Sequence, residues 1–182
     1  LIKNLKHPHI PVIYDIEHFR RLIGMEKKYF YRLYHGLKYH YRNIRIPKRK
    51  VGEYRDLLVP SKNLKKLQRW ILEYILYSTV CEDNITGFVP TKSVVDNAIP
   101  HLKCEYLYKF DIEDFFPSIS RKKVFYLFRD FGYTKELSNY LASLCCFEEK
   151  LPQGAPTSPY IANLVCRKLD KRLINLCQKN SF

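Results

Sequence analysis

Three carboxylates close together are the first residues whose types and spacing could do chemistry. In YKFDIEDFFPSI (108–119), Asp111 ends an alternating apolar run, and Glu113 and Asp114 follow within three positions. Carboxylates at the end of a buried strand are costly unless something cationic satisfies them. Mg2+ suits the task, because it takes one or two carboxylates, a carbonyl and phosphate oxygens. The competing reading is a strand end whose acids are solvated or cap the next helix. Phe115 and Phe116 beside them are either core residues or the floor of a nucleotide pocket. A second stretch, LPQGAPTSP (151–159), leads into a helical pattern. Gly154 lets backbone approach a ligand closely, Gln153 can donate or accept from the loop tip, and the helix N-terminus favours phosphate. An ordinary Pro/Gly turn capped by Thr157 or Ser158 accounts for the same residues. A third, RIPKRKVGEYR (45–55), places several cations on alternate strand positions, where they can point at one phosphate chain or simply be solvated. In the fourth, DNAIPH (96–101), Asn97 and His101 either contact a ligand or bridge backbone groups at a helix-to-loop joint.

The elements that must position these residues follow from the periodicity. Residues 15–23 and 26–36 read as helices, with Asp15 as N-cap of the first. Residues 41–59 read as a hairpin whose turn is PKRKVGE, returning through YRDLLV to Pro60. Ser61 is placed to cap a long helix with the stripe Leu64, Leu67, Ile71 and Ile75. GFVP (87–90) breaks the pattern, and 91–99 form a short helix. CEYLYKFDI (104–112) reads as a strand, with Tyr106, Tyr108 and Phe110 on one face and Leu107, Lys109 and Asp111 on the other. Helices follow over 121–131, over 134–147 with Thr134 as a cap, and over 160–178. The fold class is α+β: a basic two-stranded arm joined to a base of sheet and helices.

Composition narrows the partners. The 182 residues carry 32 Lys+Arg against 18 Asp+Glu, a net charge of +14, and 15 Tyr with 11 Phe. A disordered tail would be poor in aromatics, so the chain has a core to bury. The charge is concentrated: residues 38–69 hold 11 Lys/Arg and only two acids. That segment is where a polyanion should be met, and nucleic acid is favoured over an anionic membrane. No run of 18 apolar residues exists, and no signal-peptide pattern opens the chain. Six cysteines show no CxxC and no Cys/His pairing at zinc spacing, and read as reduced, mostly buried thiols of a cytoplasmic protein.

Taken together and in this order, the segments resemble reverse transcriptases. FDIEDFFPSI is similar to the first catalytic motif of that family, LPQGAPTSPYIANLVCRKLD to its second palm motif, and RIPKRKVGEYRDLLVPSKNLKKLQRWIL to the fingers hairpin and its helix. NAIPH resembles the NAxxH element of retron reverse transcriptases, and LCCFEEKLPQGAPTSP and KVFYLFRDFGY look retron-like as well. The resemblance covers roughly residues 10 to 178. It implies a right-hand polymerase, with residues 1–40 as an N-terminal helical segment, 41–103 as fingers and 104–182 as part of an antiparallel palm.

By resemblance, Asp111 is a metal-bridging catalytic carboxylate, with the Ile112 carbonyl as a further ligand of two Mg2+ ions. Asp114 and Phe115 match positions whose amides hold the triphosphate of a dNTP. Phe116 matches the residue under the deoxyribose, Gln153 and Gly154 the loop against the incoming nucleotide, and Lys48 and Arg55 the cations that clamp its phosphates. Arg45, Arg49, Lys50, Lys65, Lys66, Arg69, Asn97 and His101 are the expected nucleic-acid contacts. The implied partners are a structured noncoding RNA serving as template and primer, its DNA product and a companion effector in bacterial anti-phage defence. The family's third motif, a tyrosine-x-Asp-Asp turn, does not occur in these residues. Its absence, with that of a thumb, implies a truncated piece that would not polymerise by itself. Two other readings remain at this point: an intron-encoded or other defence-associated reverse transcriptase, and a non-catalytic RNA-binding module.

Overall fold

The computed structural model describes residues 9–48, 50–102 and 104–180. Its elements are largely those the periodicity predicts. Helix α1 (Ile16–Leu22) starts at Asp15, whose carboxylate accepts the His18 amide at 2.7 Å. Helix α2 (Lys27–His35) follows, then a 3-10 turn (Leu37–His40). Strands β1 (Tyr41–Pro47) and β2 (Tyr54–Pro60) pair antiparallel, in a register running from Tyr41 opposite Pro60 to Pro47 opposite Tyr54.

Helix α3 (Lys62–Trp70) leaves the hairpin and widens into a π-helical turn over Ile71–Leu76, closed by the Tyr77 amide on the Leu72 carbonyl. Leu64, Leu67, Ile71 and Ile75 are all buried, as their spacing demands. Ser61 stands at the N-cap position of this helix, its carbonyl accepting the Lys65 amide at 2.8 Å, but its side chain makes no capping bond. Its amide and its hydroxyl both turn to His40, 2.7 Å from the carbonyl and 3.1 Å from Nδ1. The two ends of the hairpin are thereby fastened together.

Short helix α4 (Val94–Ala98) opens with a reciprocal capping box between Ser93 and Asp96, and a 3-10 turn, Ile99–His101, extends it. Helices α5 (Arg121–Asp130) and α6 (Lys135–Cys145) pack side by side, with Thr134 capping α6 through the Leu137 amide. Helix α7 (Ser158–Lys179) closes the described chain.

One core serves the helices and the base of the hairpin. Phe19, Phe30, Leu33, Leu67, Phe128 and Leu141 are at its centre. Trp70 meets Phe19 edge-on at 5.3 Å. Gln68, fully buried, donates to the Tyr41 hydroxyl at 2.7 Å and to the Leu144 carbonyl at 2.8 Å. One side chain thus ties β1, α3 and α6 together, which suits a buried amide that must find partners.

Two expectations are corrected. Residues 104–112 do not form a strand: among the described residues only β1 and β2 pair, and they pair with each other. The alternation is real, but both its faces are open, Phe110 on one being 89% and Leu107 on the other 64% exposed. A strand needs backbone partners as well as a pattern. The chain is therefore α+β with a single two-stranded sheet among its described residues. The cysteines are free, as expected, but only Cys145 and Cys146 are buried; Cys104 and Cys177 are exposed. Burial pushes the Cys145 thiol up to about 12, which leaves it protonated and inert. No helix of the described residues is long and apolar enough to cross a membrane.

The loop between α6 and α7 is held against β2. The Leu58 amide donates to the Gln153 carbonyl at 2.8 Å, and Gly154, at φ +127°, lies so close that an added Cβ would sit 2.8 Å from the Leu58 carbonyl oxygen. Gly154→Ala would meet both a forbidden backbone and a backbone clash. It should cost about 2 kcal/mol, lowering the melting temperature by roughly 4–8 °C. A thermal melt indistinguishable from that of the unaltered protein would contradict this account of the joint.

Candidate functional site

The segment that carries the carboxylates is built by tight local bonding. After Asp114, whose φ of +48° is tolerable for Asp, the chain folds into consecutive turns. The Ser118 amide reaches the Asp114 carbonyl at 2.9 Å, the Ile119 amide the Phe116 carbonyl at 3.0 Å, and the Ser118 hydroxyl the Phe115 carbonyl at 2.7 Å. Phe115 and Phe116, with ring centroids 5.6 Å apart, are half-buried against the core. They anchor the turn and leave Asp111, Glu113 and Asp114 exposed.

This turn is latched to the α6–α7 connection. The Leu151 amide donates to the Ile119 carbonyl at 2.9 Å, and the Arg121 amide to the Glu149 carbonyl at 2.8 Å. Arg121 adds a side-chain bond of 2.7 Å to Glu149. The connection itself begins with a miniature hairpin: Phe147 and Lys150 exchange both backbone bonds, at 2.9 and 3.0 Å, around Glu148 (φ +44°) and Glu149 (φ +62°). Two consecutive left-handed residues are the signature of a type I′ turn, normally filled by Asn-Gly. Two glutamates give no such signal, and sequence reading missed this turn.

Between these pieces lies a cleft of about 1120 Å³. The hairpin contributes Asn43, Lys48, Tyr54, Arg55, Asp56 and Leu58 to its wall; the carboxylate segment contributes Asp111 to Pro117; the α6–α7 connection contributes Phe147, Glu148 and Lys150 to Gln153. Phe88, Pro159 and Asn163 complete it. Among the predicted residues, the cleft brings together Lys48, Arg55, Asp111, Ile112, Asp114, Phe115, Phe116 and Gln153, drawn from three distant segments. Gly154 sits immediately behind, spending its close approach on Leu58 rather than on a ligand.

The remaining predicted residues that the structure describes lie off the cleft wall. Arg45 pairs with Asp56 at 3.1 Å, and Lys50 with Glu53 at 3.1 Å. Lys66 and Arg69 are exposed on α3, and Lys65 is half-buried there. Arg49 lies outside the described residues. His101 is exposed, and Asn97 receives the Thr86 hydroxyl at 3.0 Å. Phe88, Tyr54, Glu148, Lys150 and Asn163 were missed by sequence reading. Asn163 was legible in principle, since it stands one turn after Pro159 on α7.

The charges of the cleft are mixed on both sides. The hairpin side carries Lys48, shared with Glu53 at 3.5 Å, Arg55, which has no carboxylate partner among the described residues, and Asp56, paired with Arg45 at 3.1 Å. The opposite side carries Asp111, Glu113, Asp114 and Glu148, with Lys150 among them. A polyphosphate complements Lys48 and Arg55, and a divalent cation the carboxylates opposite. The described residues hold no group of three His, Cys, Asp or Glu side chains arranged for a metal. Mg2+ does not need one: a solvent-open carboxylate and a neighbouring carbonyl, as at Asp111 and Ile112, are compatible with its share of protein ligands when phosphate oxygens and water complete the shell.

Comparison with known proteins agrees with the geometry. The family described as reverse transcriptase (RNA-dependent DNA polymerase) matches residues 46–182. Retron Ec86 reverse transcriptase of Escherichia coli is 43% identical over 119 residues, covering 65% of this chain and 37% of that protein. Retron Mx162 reverse transcriptase of Myxococcus xanthus is 36% identical over 161 residues, covering 79% and 33%. Retron Ec83 reverse transcriptase of Escherichia coli is 32% identical over 153 residues, covering 79% and 49%. The chain thus spans a third to a half of the length of these relatives. With its hairpin, carboxylate turn and glycine loop gathered around one cleft, it belongs to the reverse transcriptase family and is of the retron type.

Proposed function

We propose that the protein is an RNA-directed DNA polymerase, with residues 41–103 as its fingers, 104–182 as part of its palm and 1–40 as an N-terminal helical segment. The observation that carries this reading is the convergence of Lys48, Arg55, Asp111, Phe116 and Gln153 on one cleft. Nucleotidyl transfer joins a primer 3′-oxygen to the α-phosphorus of a dNTP and expels pyrophosphate. Two Mg2+ ions, when bound, supply stabilisation of the attacking and leaving oxygens. Asp111 and the Ile112 carbonyl are the residues of this chain that would hold them.

The rest of the work is positioning and charge. Lys48 and Arg55 grip the β- and γ-phosphates, Lys48 being shared with Glu53. The amides of Asp114 and Phe115 face the triphosphate. The Phe116 ring lies under the deoxyribose and leaves no room for a 2′-hydroxyl. Gln153 meets the nucleotide from the loop that Gly154 pins to β2. Arg45, Arg49, Lys50, Lys65, Lys66 and Arg69 follow the template backbone, so binding weakens steeply with salt. Asn97 and His101 belong to the same nucleic-acid surface. In this reading the template and primer are one structured noncoding RNA, the product is DNA joined to it, and a companion effector links the system to anti-phage defence.

Three measurements test the reading in the full-length protein. Asp111→Asn should lower primer extension about 10²–10³-fold, the scale of removing one preorganised electrostatic contributor; undiminished synthesis would sink the assignment. Phe116→Ala should reduce discrimination between dNTP and rNTP about 10–100-fold, read as the ratio of kcat/KM values, and an unchanged ratio would remove the gate. Sequencing of the nucleic acid that co-purifies should return one short single-stranded DNA in many copies; a heterogeneous mixture would argue against the dedicated RNA.

A further inference from the structure

Phe88 stands out among residues that neither packing nor the chemistry above uses. It is an aromatic residue at φ +60°, a region that bulky side chains seldom enter. Burial does not compensate the strain, for the side chain is 67% exposed. The two residues before it are nevertheless secured. The Asn163 side-chain amide donates to the Gly87 carbonyl at 2.8 Å, and Asn97 accepts the Thr86 hydroxyl at 3.0 Å. Two asparagines from α4 and α7 thus fix the segment that holds this ring out.

The ring borders two spaces at once. On one side is the charged cleft. On the other is a smaller recess of about 260 Å³ walled by residues such as Leu72, Tyr77, Pro90, Pro156 and Tyr160, with no charged side chain among them. A triphosphate has partners at Lys48 and Arg55 and none in the recess. A base has the reverse need: a flat apolar face, and no ionic partner. Such a base reaches Phe88 while its sugar and phosphates run along the cleft, which is how a single strand enters a basic groove.

We infer that Phe88 is a stacking platform for a template nucleobase at the mouth of the cleft, and that Asn97 and Asn163 are the positioning residues that present it. This inference rests on the polymerase reading for the identity of the strand. It also gives the NAIPH element a concrete task, holding the loop that carries the ring.

The test uses the full-length protein and a single-stranded oligonucleotide bearing one 2-aminopurine, a base whose fluorescence falls when it stacks. The unaltered protein should quench it. Phe88→Ala should relieve the quenching and weaken binding about fivefold to a hundredfold, the range for losing one base–aromatic stack. Phe88→Trp should restore both. Asn163→Ala and Asn97→Ala should each weaken binding, and add nothing in the Phe88→Ala background. Because the ring is exposed, its removal leaves no cavity, and an unchanged circular dichroism spectrum checks that the fold persists. Equal quenching and affinity in Phe88→Ala would overturn the inference, as would a rise in the KM for dNTP with oligonucleotide affinity intact. Absence of primer extension by the unaltered protein would overturn the polymerase reading instead, and the oligonucleotide measurements would still decide the role of Phe88.

Discussion

A backbone bond from the Leu58 amide to the Gln153 carbonyl joins the two halves of the cleft. On one side stands the hairpin with its cations; on the other, the connection into α7 and everything latched to it. Only a residue without a side chain can follow Gln153 at that distance, and Gly154 is that residue. The remaining geometry is transmitted from this joint through short backbone bonds. Leu151 holds Ile119, Ile119 ends the carboxylate turn, and Phe115 and Phe116 seat that turn on the core. The approach of Lys48 and Arg55 to the carboxylate segment across the cleft is a consequence of this relay.

The helical core plays a different part. It fixes where the hairpin emerges, through Gln68 between Tyr41 and Leu144 and through Ser61 on His40. A buried amide nitrogen with two good acceptors is a strong directional constraint, even though the Gln68 Oε1 atom is buried without a hydrogen-bond partner among the described residues. The aromatic residues that looked excessive in the composition divide accordingly. Phe19, Phe30 and Phe128 are core, whereas Phe88, Tyr106, Tyr108 and Phe110 face outward.

Local signals were legible in the sequence and partner-dependent ones were not. Asp15 and Thr134 act as the caps their types suggest, and the alternation over 41–59 yields the hairpin, because caps and hairpins are decided by neighbouring residues. Eight of the residues named from the motifs meet in the cleft, since the order of charges and glycine along the chain is specific. The strand over 104–112 failed for the opposite reason: period two tells which side chains share a face, not whether a second strand exists to pair. Ser61 failed because His40, distant in sequence, competes for its hydroxyl. The Glu148–Glu149 turn and Phe88 were hidden because nothing in their side chains announces a left-handed backbone.

The open segment before Asp111 has a consequence for how the site matures. The amides and carbonyls from 105 to 113 find no backbone partner among the described residues, and Tyr106, Tyr108, Phe110 and Ile112 leave an apolar face exposed. Asp111 is therefore tethered firmly only on its C-terminal side, where the turn begins. Whatever strand docks on the free edge would satisfy those groups and restrict Asp111 in a single event. The entropy of ordering the carboxylate would then be met at assembly, before any nucleotide arrives. Docking of that edge and readiness to bind a cation would rise and fall together.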